Sequence, residues 1–201
     1  PFTWAKQVAS DYGGTSNPMI VSYPARIRRP GGLCTAFHHC VDITPTILDI
    51  THIPHPSVVD GVVQRELEGV SMAYTFDEET APSRRTIQYF CVGANYGIYA
   101  DGWFAGVVSK LPWEPIPIYQ SYEEGVWELY HADQDFSLSH NVASQYPEKL
   151  AELKTLFEQE AEHYNVFPID SRGHVVFDSR LAGRPEPAAL RHAITFFDRL
   201  S

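Results

Sequence analysis

Near residue 84 the hydrophobic period of the chain switches from helical to two, and few architectures accommodate a close succession of such alternating segments. Segments 85–92 (RTIQYFCV), 96–102 (YGIYADG) and 103–109 (WFAGVVS) are separated by little more than "GANYG" and "ADGW", which are hairpin-type turn signals. A fourth alternating segment, VWELYH, spans 126–131. Residues 146–166 (YPEKLAELKTLFEQEAEHYNV) then form the clearest helix pattern in the chain. Pro147 suits its first turn, and Leu150, Leu153, Leu156, Phe157, Ala161 and Tyr164 share one face. An antiparallel sheet of about four strands and an amphipathic helix each have one face to bury, and packing them together satisfies both.

The region before this unit reads differently. Residues 2–10 are a short helix candidate, stopped by Gly13-Gly14. PMIVSYP (18–24) is a compact apolar run between prolines, as expected of a buried strand. CTAFHHCVDITPTILDI (34–50) reads as helical, with Thr44 as a cap and Pro45 in the first turn. Residues 51–63 are loop-like. Beyond 167, HVVFD and AITFFD are weaker strand candidates.

Composition limits the functional classes. The 201 residues are 44% hydrophobic and 13% aromatic, as in a globular protein. The formal charge is −10, which disfavours general binding to a phosphate backbone, so no nucleic-acid partner is expected. Arg26, Arg28 and Arg29 make a local basic stretch that reads as a solvated loop. No apolar run approaches the ~18 residues of a membrane span. Cys34, Cys40 and Cys91 form no CxxC pair, and free thiols mildly favour a reducing compartment. The opening "PFTWAKQVAS" reads as the middle of a longer protein, without a leader, so cytoplasm and periplasm both stay open.

Several groupings of polar residues could carry chemistry. His38 and Asp42 have the i, i+4 spacing of a helical ligand pair, while a helix-start histidine bonded to backbone is the structural alternative. His52, His55 and Asp60 lie in a loop, and His131, Asp133, Asp135 and His140 in a polar turn. In each case a structural or solvated role is the stronger reading. Lys6 precedes a Gly-Gly turn and can point its ammonium into a crevice to neutralise an oxyanion; by spacing alone an exposed lysine is the stronger reading. Finally, TAPSR (80–84) imitates the sulfatase signature Cys/Ser-x-Pro-x-Arg, whose first residue becomes formylglycine. Thr80 is unsuited to that role. Its β-carbon bears a methyl group, so oxidation would give a ketone, which hydrates poorly.

The order of "WAKQVASDYGGTSNPMIVSYPARI", "FHHCVDITPTILDI", "VVDGVVQRELEGVSMAYTFD", "APSRRTIQYF", "ANYGIYADGWFA" and "VWELYHADQDFSLSHNVASQYPEKLAELKTLFEQEAEHYNVFPID" resembles the C-terminal third of type I arylsulfatases, within the alkaline-phosphatase-like superfamily. The resemblance runs from residue 1 to about 170. It implies an α/β fold: residues 1–60 as the end of a sulfatase α/β core, 61–170 as a small α+β subdomain of about four antiparallel strands and one long helix, and 171–201 as the start of a truncated extension. It implies a sulfuric ester hydrolase whose formylglycine nucleophile and divalent cation, usually calcium, are supplied by the region upstream. On this reading no ligand of the cation lies in this segment. The partners implied are a sulfate-ester small molecule and the upstream core. Lys6 matches the family lysine that contacts the sulfate. The segment alone is expected to be inactive. The alternatives are a phosphonate or phosphate monoester hydrolase of the same superfamily, and a non-catalytic binding or assembly module.

Overall fold

The computed structural model describes residues 2–27, 31–109, 111 and 121–169. The strand candidates HVVFD and AITFFD, the extension 171–201 and the residues Arg28 and Arg29 lie outside them. The described residues fall into two compact units, one drawn from 1–16, 89–98 and 102–201, the other from 17–88 and 99–101.

In chain order the elements are α1 (Tyr12–Thr15), α2 (Ile43–Thr51), β1 (Val58–Val59), β2 (Val62–Val63), β3 (Ile87–Val92), β4 (Asn95–Ala100), β5 (Trp103–Val107), β6 (Glu128–His131) and α3 (Pro147–His163). A four-stranded sheet has the order β3-β4-β5-β6. All four strands lie where the alternation predicts them. Asp101 (φ 45°) and Gly102 (φ 82°) make the β4–β5 turn, the left-handed pair that a two-residue hairpin requires. β5 and β6 are antiparallel, with Trp103 opposite His131 and Gly106 opposite Glu128.

Helix α3 packs against β5 along the predicted face. Leu153, Phe157 and Ala161 are fully buried. Phe157 is the centre of an aromatic cluster, with ring centroids 5.3 Å from Tyr96, 5.6 Å from Trp127 and 6.1 Å from Tyr122. The spread of interplanar angles, 28° to Tyr96 and 70° to Trp127, gives both stacked and edge contacts.

The other unit departs from the sequence reading in three places. PMIVSYP is extended but not a strand, and Met19, Ile20 and Val21 are 50%, 96% and 43% exposed. A strand is defined by a neighbour, and 18–24 has none among the described residues. Residues 34–39 are not helical: a 3₁₀ turn begins at Cys40 and α2 at Ile43. Residues 51–63, read as loop, contain the β1–β2 hairpin, whose Asp60-Gly61 turn has φ of 48° and 80°. The signal VVDGVV is a standard hairpin pattern.

Candidate functional site

Lys6 stands on a tightly wound segment. The predicted helix over 2–10 is absent, and the first helix is α1, which contains the Gly-Gly pair itself. Its N-cap is Asp11, whose carboxylate accepts the Gly13 N–H at 2.7 Å. The Trp4 N–H donates to the same carboxylate. Burial raises the Asp11 pKa, and these backbone donors oppose the rise. A Cβ on Gly13 would run into the Trp4 carbonyl, and one on Gly14 into the Val8 carbonyl. The glycines are therefore required by close backbone approach within the coil, not as a helix stop. Val8 to Tyr12 are all buried, while Lys6 is exposed at the tip. Lys6 makes no hydrogen bond or ion pair among the described residues, so its ammonium is available to an anion.

The second constellation is centred on Asp42, which is fully buried. Its carboxylate accepts the His39 N–H at 2.9 Å and the Val70 N–H at 2.8 Å. The guanidinium of Arg85 donates to both of its oxygens, Nε at 3.1 and 3.0 Å. Burial alone would raise the Asp42 pKa; the Arg85 side chain and the two backbone donors outweigh it and hold the carboxyl below its ordinary value. Thus Asp42, not Thr44, is the N-cap position of α2, and its side chain closes a capping box with His39 on the 3₁₀ turn Cys40–Asp42 that leads into the helix. Thr46 extends the network: its hydroxyl donates to the Asp42 carbonyl at 2.6 Å and accepts the Met72 N–H at 2.9 Å.

This arrangement also accounts for TAPSR. The hydroxyl of Ser83 lies 2.8 Å from the Phe37 carbonyl, the Arg84 N–H donates to the Tyr74 hydroxyl, and the next residue is the Arg85 that holds Asp42. The motif is a structural link that delivers Arg85 to the α2 start. His38 sits beside it, its Nδ1 3.8 Å from Asp42 and its Nε2 buried without a partner. Burial lowers the pKa of His38, which keeps the ring neutral.

The remaining predicted groups do not converge on a site. His52 caps the C-terminus of α2 in the left-handed conformation and, with His55, lines a shallow open groove beside Leu48 and Ile53. Asp60 is a hairpin turn residue. His131 packs on Trp103 at 4.3 Å, and Asp133 donates its N–H to the Gly102 carbonyl. Asp135 accepts the N–H groups of Ser139 and His140, both at 2.8 Å, which closes the polar turn. Among the described residues no group of three or more His, Cys, Asp or Glu could hold a metal ion. The described residues therefore offer no ligand set for the divalent cation that the sulfatase resemblance implies and assigns to the upstream region.

Two positions that sequence reasoning passes over matter here. Asp11 carries the signal of an N-cap directly before a short glycine helix. Asn95, in the "GAN" turn signal, is buried and bonds two distant backbone segments.

No protein-family model matches the chain. It is 27% identical over 148 residues to an uncharacterised sulfatase of Schizosaccharomyces pombe, covering 70% of this chain and 24% of that protein. It is 46% identical over 44 residues to human N-sulphoglucosamine sulphohydrolase, covering 22% of this chain and 9% of that enzyme. Among solved structures it matches a Bacteroides thetaiotaomicron protein of glycosaminoglycan metabolism, designated 6S-sulf, with TM-score 0.55 at 21% identity, covering 76% of this chain and 30% of the other. It also matches a protein solved in complex with its substrate D-glucosamine-2-N,6-O-disulfate, with TM-score 0.51 at 22% identity, covering 74% and 28%. The structural matches establish the fold. By sequence the chain is similar to sulfatases, and it spans about a quarter of the length of the first of these curated relatives. That share fits a C-terminal portion.

Proposed function

We propose that this sulfatase-like chain is the C-terminal part of a sulfuric ester hydrolase, and that Lys6 contacts the sulfate group. The observation that supports the reading is an exposed lysine with no counter-ion among the described residues, followed by the buried turn Val8–Tyr12, in a chain similar in sequence to sulfatases. Sulfate-ester hydrolysis breaks an S–O bond and develops negative charge on the sulfate oxygens and on the leaving oxygen. An ammonium held at a sulfate oxygen stabilises that charge more in the transition state than in the ground state. The nucleophile is a formylglycine and the cation calcium or another divalent ion, both supplied by residues upstream. No side chain described here is assigned to either, and no step is routed through them. The exposed run Met19–Val21 is then the surface that the upstream core covers.

The test uses the longer protein that carries this chain, with paired aryl sulfate and aryl phosphate substrates. Turnover of the sulfate ester is expected, and Lys6→Ala should lower kcat/KM by about 10²–10³-fold, the usual cost of losing one oxyanion partner. The 201-residue chain alone should give no turnover. A faster phosphate-ester rate would favour the phosphatase relatives. Sulfatase activity unchanged by Lys6→Ala would remove Lys6 from the site.

A further inference from the structure

The segment that presents Lys6 is strained at one point. The Val8 N–H donates to the Ala5 carbonyl at 3.1 Å, so Ala5–Val8 is a β-turn with Lys6 and Gln7 at its centre. Gln7 has φ of 80°, the left-handed value that type II turns require at their third residue and that glycine or asparagine normally supplies. A glutamine tolerates it only where the surroundings over-determine the backbone. The neighbour that does so is remote in sequence. Asn95, the first residue of β4, is 5% exposed. Its Nδ2 donates to the Gln7 carbonyl at 3.3 Å, and its Oδ1 accepts the Ser109 N–H at 3.0 Å. One buried amide thus ties the peptide next to Lys6 both to the sheet and to the segment that leaves β5. Immediately after the turn, Val8 and Ala9 are buried, and the carboxylate of Asp11 is held by Trp4 and Gly13.

A surface turn with no task would relieve this strain with a single Gln-to-Gly change. Here the strained residue adjoins the one exposed cation of the segment, and a buried side chain is committed to holding it. We infer that Asn95 is a positioning residue for Lys6: it fixes the Lys6–Gln7 turn so that the ammonium meets an oxyanion in one place. The inference rests on the reading of Lys6 as the sulfate contact. Displacement of an oriented group by about 1 Å can cost about 10²-fold in rate, so loss of the clamp should be visible in turnover.

The experiment measures kcat/KM for an aryl sulfate and the inhibition constant of inorganic sulfate in the longer protein, at a temperature where each variant is folded by circular dichroism. Asn95→Ala should lower kcat/KM by about 10–10²-fold and weaken sulfate inhibition. Asn95→Asp keeps the acceptor for Ser109 but loses the donor to Gln7, and should behave like Asn95→Ala. In the double variant Lys6→Ala/Asn95→Ala the loss should be no greater than in Lys6→Ala alone, because the clamp acts through the lysine. A purely structural Asn95 would lower the melting temperature, leave the sulfate inhibition constant unchanged and multiply with Lys6→Ala; that result overturns the inference. If Lys6→Ala alone is silent, the reading of Lys6 fails and the positioning role falls with it, a pattern distinct from a silent Asn95. Should neither Asn95 variant fold, Gln7→Gly decides. It should keep the melting temperature or raise it while weakening sulfate inhibition by several-fold, and an unchanged inhibition constant overturns the inference.

Discussion

Replacement of Arg85 by leucine isolates the energetics of the Asp42 network. The variant keeps most of the aliphatic bulk and removes the guanidinium, so a fully buried carboxylate is left with the backbone donors of His39 and Val70. The carbonyl of Glu68 and the side-chain oxygen of Gln88, each 3.1 Å from Arg85, lose a donor as well. Breaking one side of a buried pair costs about 3–5 kcal/mol. The two surviving donors place this site at the lower end, at about 3 kcal/mol. For a chain of this length that corresponds to a fall in Tm of roughly 6–12 °C, measurable by calorimetry or near-ultraviolet circular dichroism. The pH dependence gives an independent check. In the native protein the Asp42 pKa is depressed, so its contribution is present above the ordinary aspartate value of about 3.9 and is lost as pH falls through the lower folded value. Without Arg85, burial dominates and the folded pKa rises. Acidification then protonates the variant's carboxyl in the folded state and relieves it, so the stability gap between the two proteins should narrow as pH falls. The double variant Asp42→Asn/Arg85→Leu should lose less than the sum of the singles, with a coupling of about 1–3 kcal/mol. A loss below about 0.5 kcal/mol for Arg85→Leu, or strict additivity, would refute the view that this pair holds the start of α2.

Packing and titration set two further outcomes. Burial, the largest influence on both His38 and His39, lowers their pKa values. The unfolded chain therefore takes up protons first, and stability should decline as pH falls from about 7.5 through the ordinary histidine value of about 6.5; denaturant titrations of the native protein and His38→Asn should show a shallower decline in the variant. Phe157→Ala removes the buried centre of the aromatic cluster and should cost about 3–5 kcal/mol, read as a lower denaturation midpoint at unchanged slope.

The legible parts of the chain are those whose partners lie close in sequence. The sheet and α3 are readable because β3, β4 and β5 follow one another through short turns, because VWELYH carries its own alternation, and because Leu153, Phe157 and Ala161 repeat at helical spacing. The failures share the opposite cause. PMIVSYP has the composition of a buried strand, but a strand is made by its neighbour, and none of the described residues pairs with it. The start of α2 is hidden because its cap is held by an arginine 43 residues away, which no local capping pattern reports. Gly13-Gly14 reads as a helix stop only if the Trp4 and Val8 carbonyls, which need the space, are not yet in view.

The same distinction separates the two motifs that look chemical. TAPSR has the letters of a nucleophile signature, yet Thr80, Pro82 and Arg84 are exposed and its polar contacts are structural: the Ser83 hydroxyl to the Phe37 carbonyl, the Arg84 N–H to the Tyr74 hydroxyl, with the adjoining Arg85 on a buried carboxylate. These donors are spent on the fold. Lys6 has no signature of its own, but the polar groups around it are satisfied from below. Asp11 takes the backbone of Trp4 and Gly13, and Asn95 takes Gln7 and Ser109, so that among the described residues the Lys6 ammonium has no side-chain partner. Some other described cations are paired with carboxylates, as Arg26 is with Asp77 and Lys149 with Glu152. Asp11 and Asn95 are both spent on backbone groups and not on Lys6, and this is the geometry that the proposed sulfate contact requires.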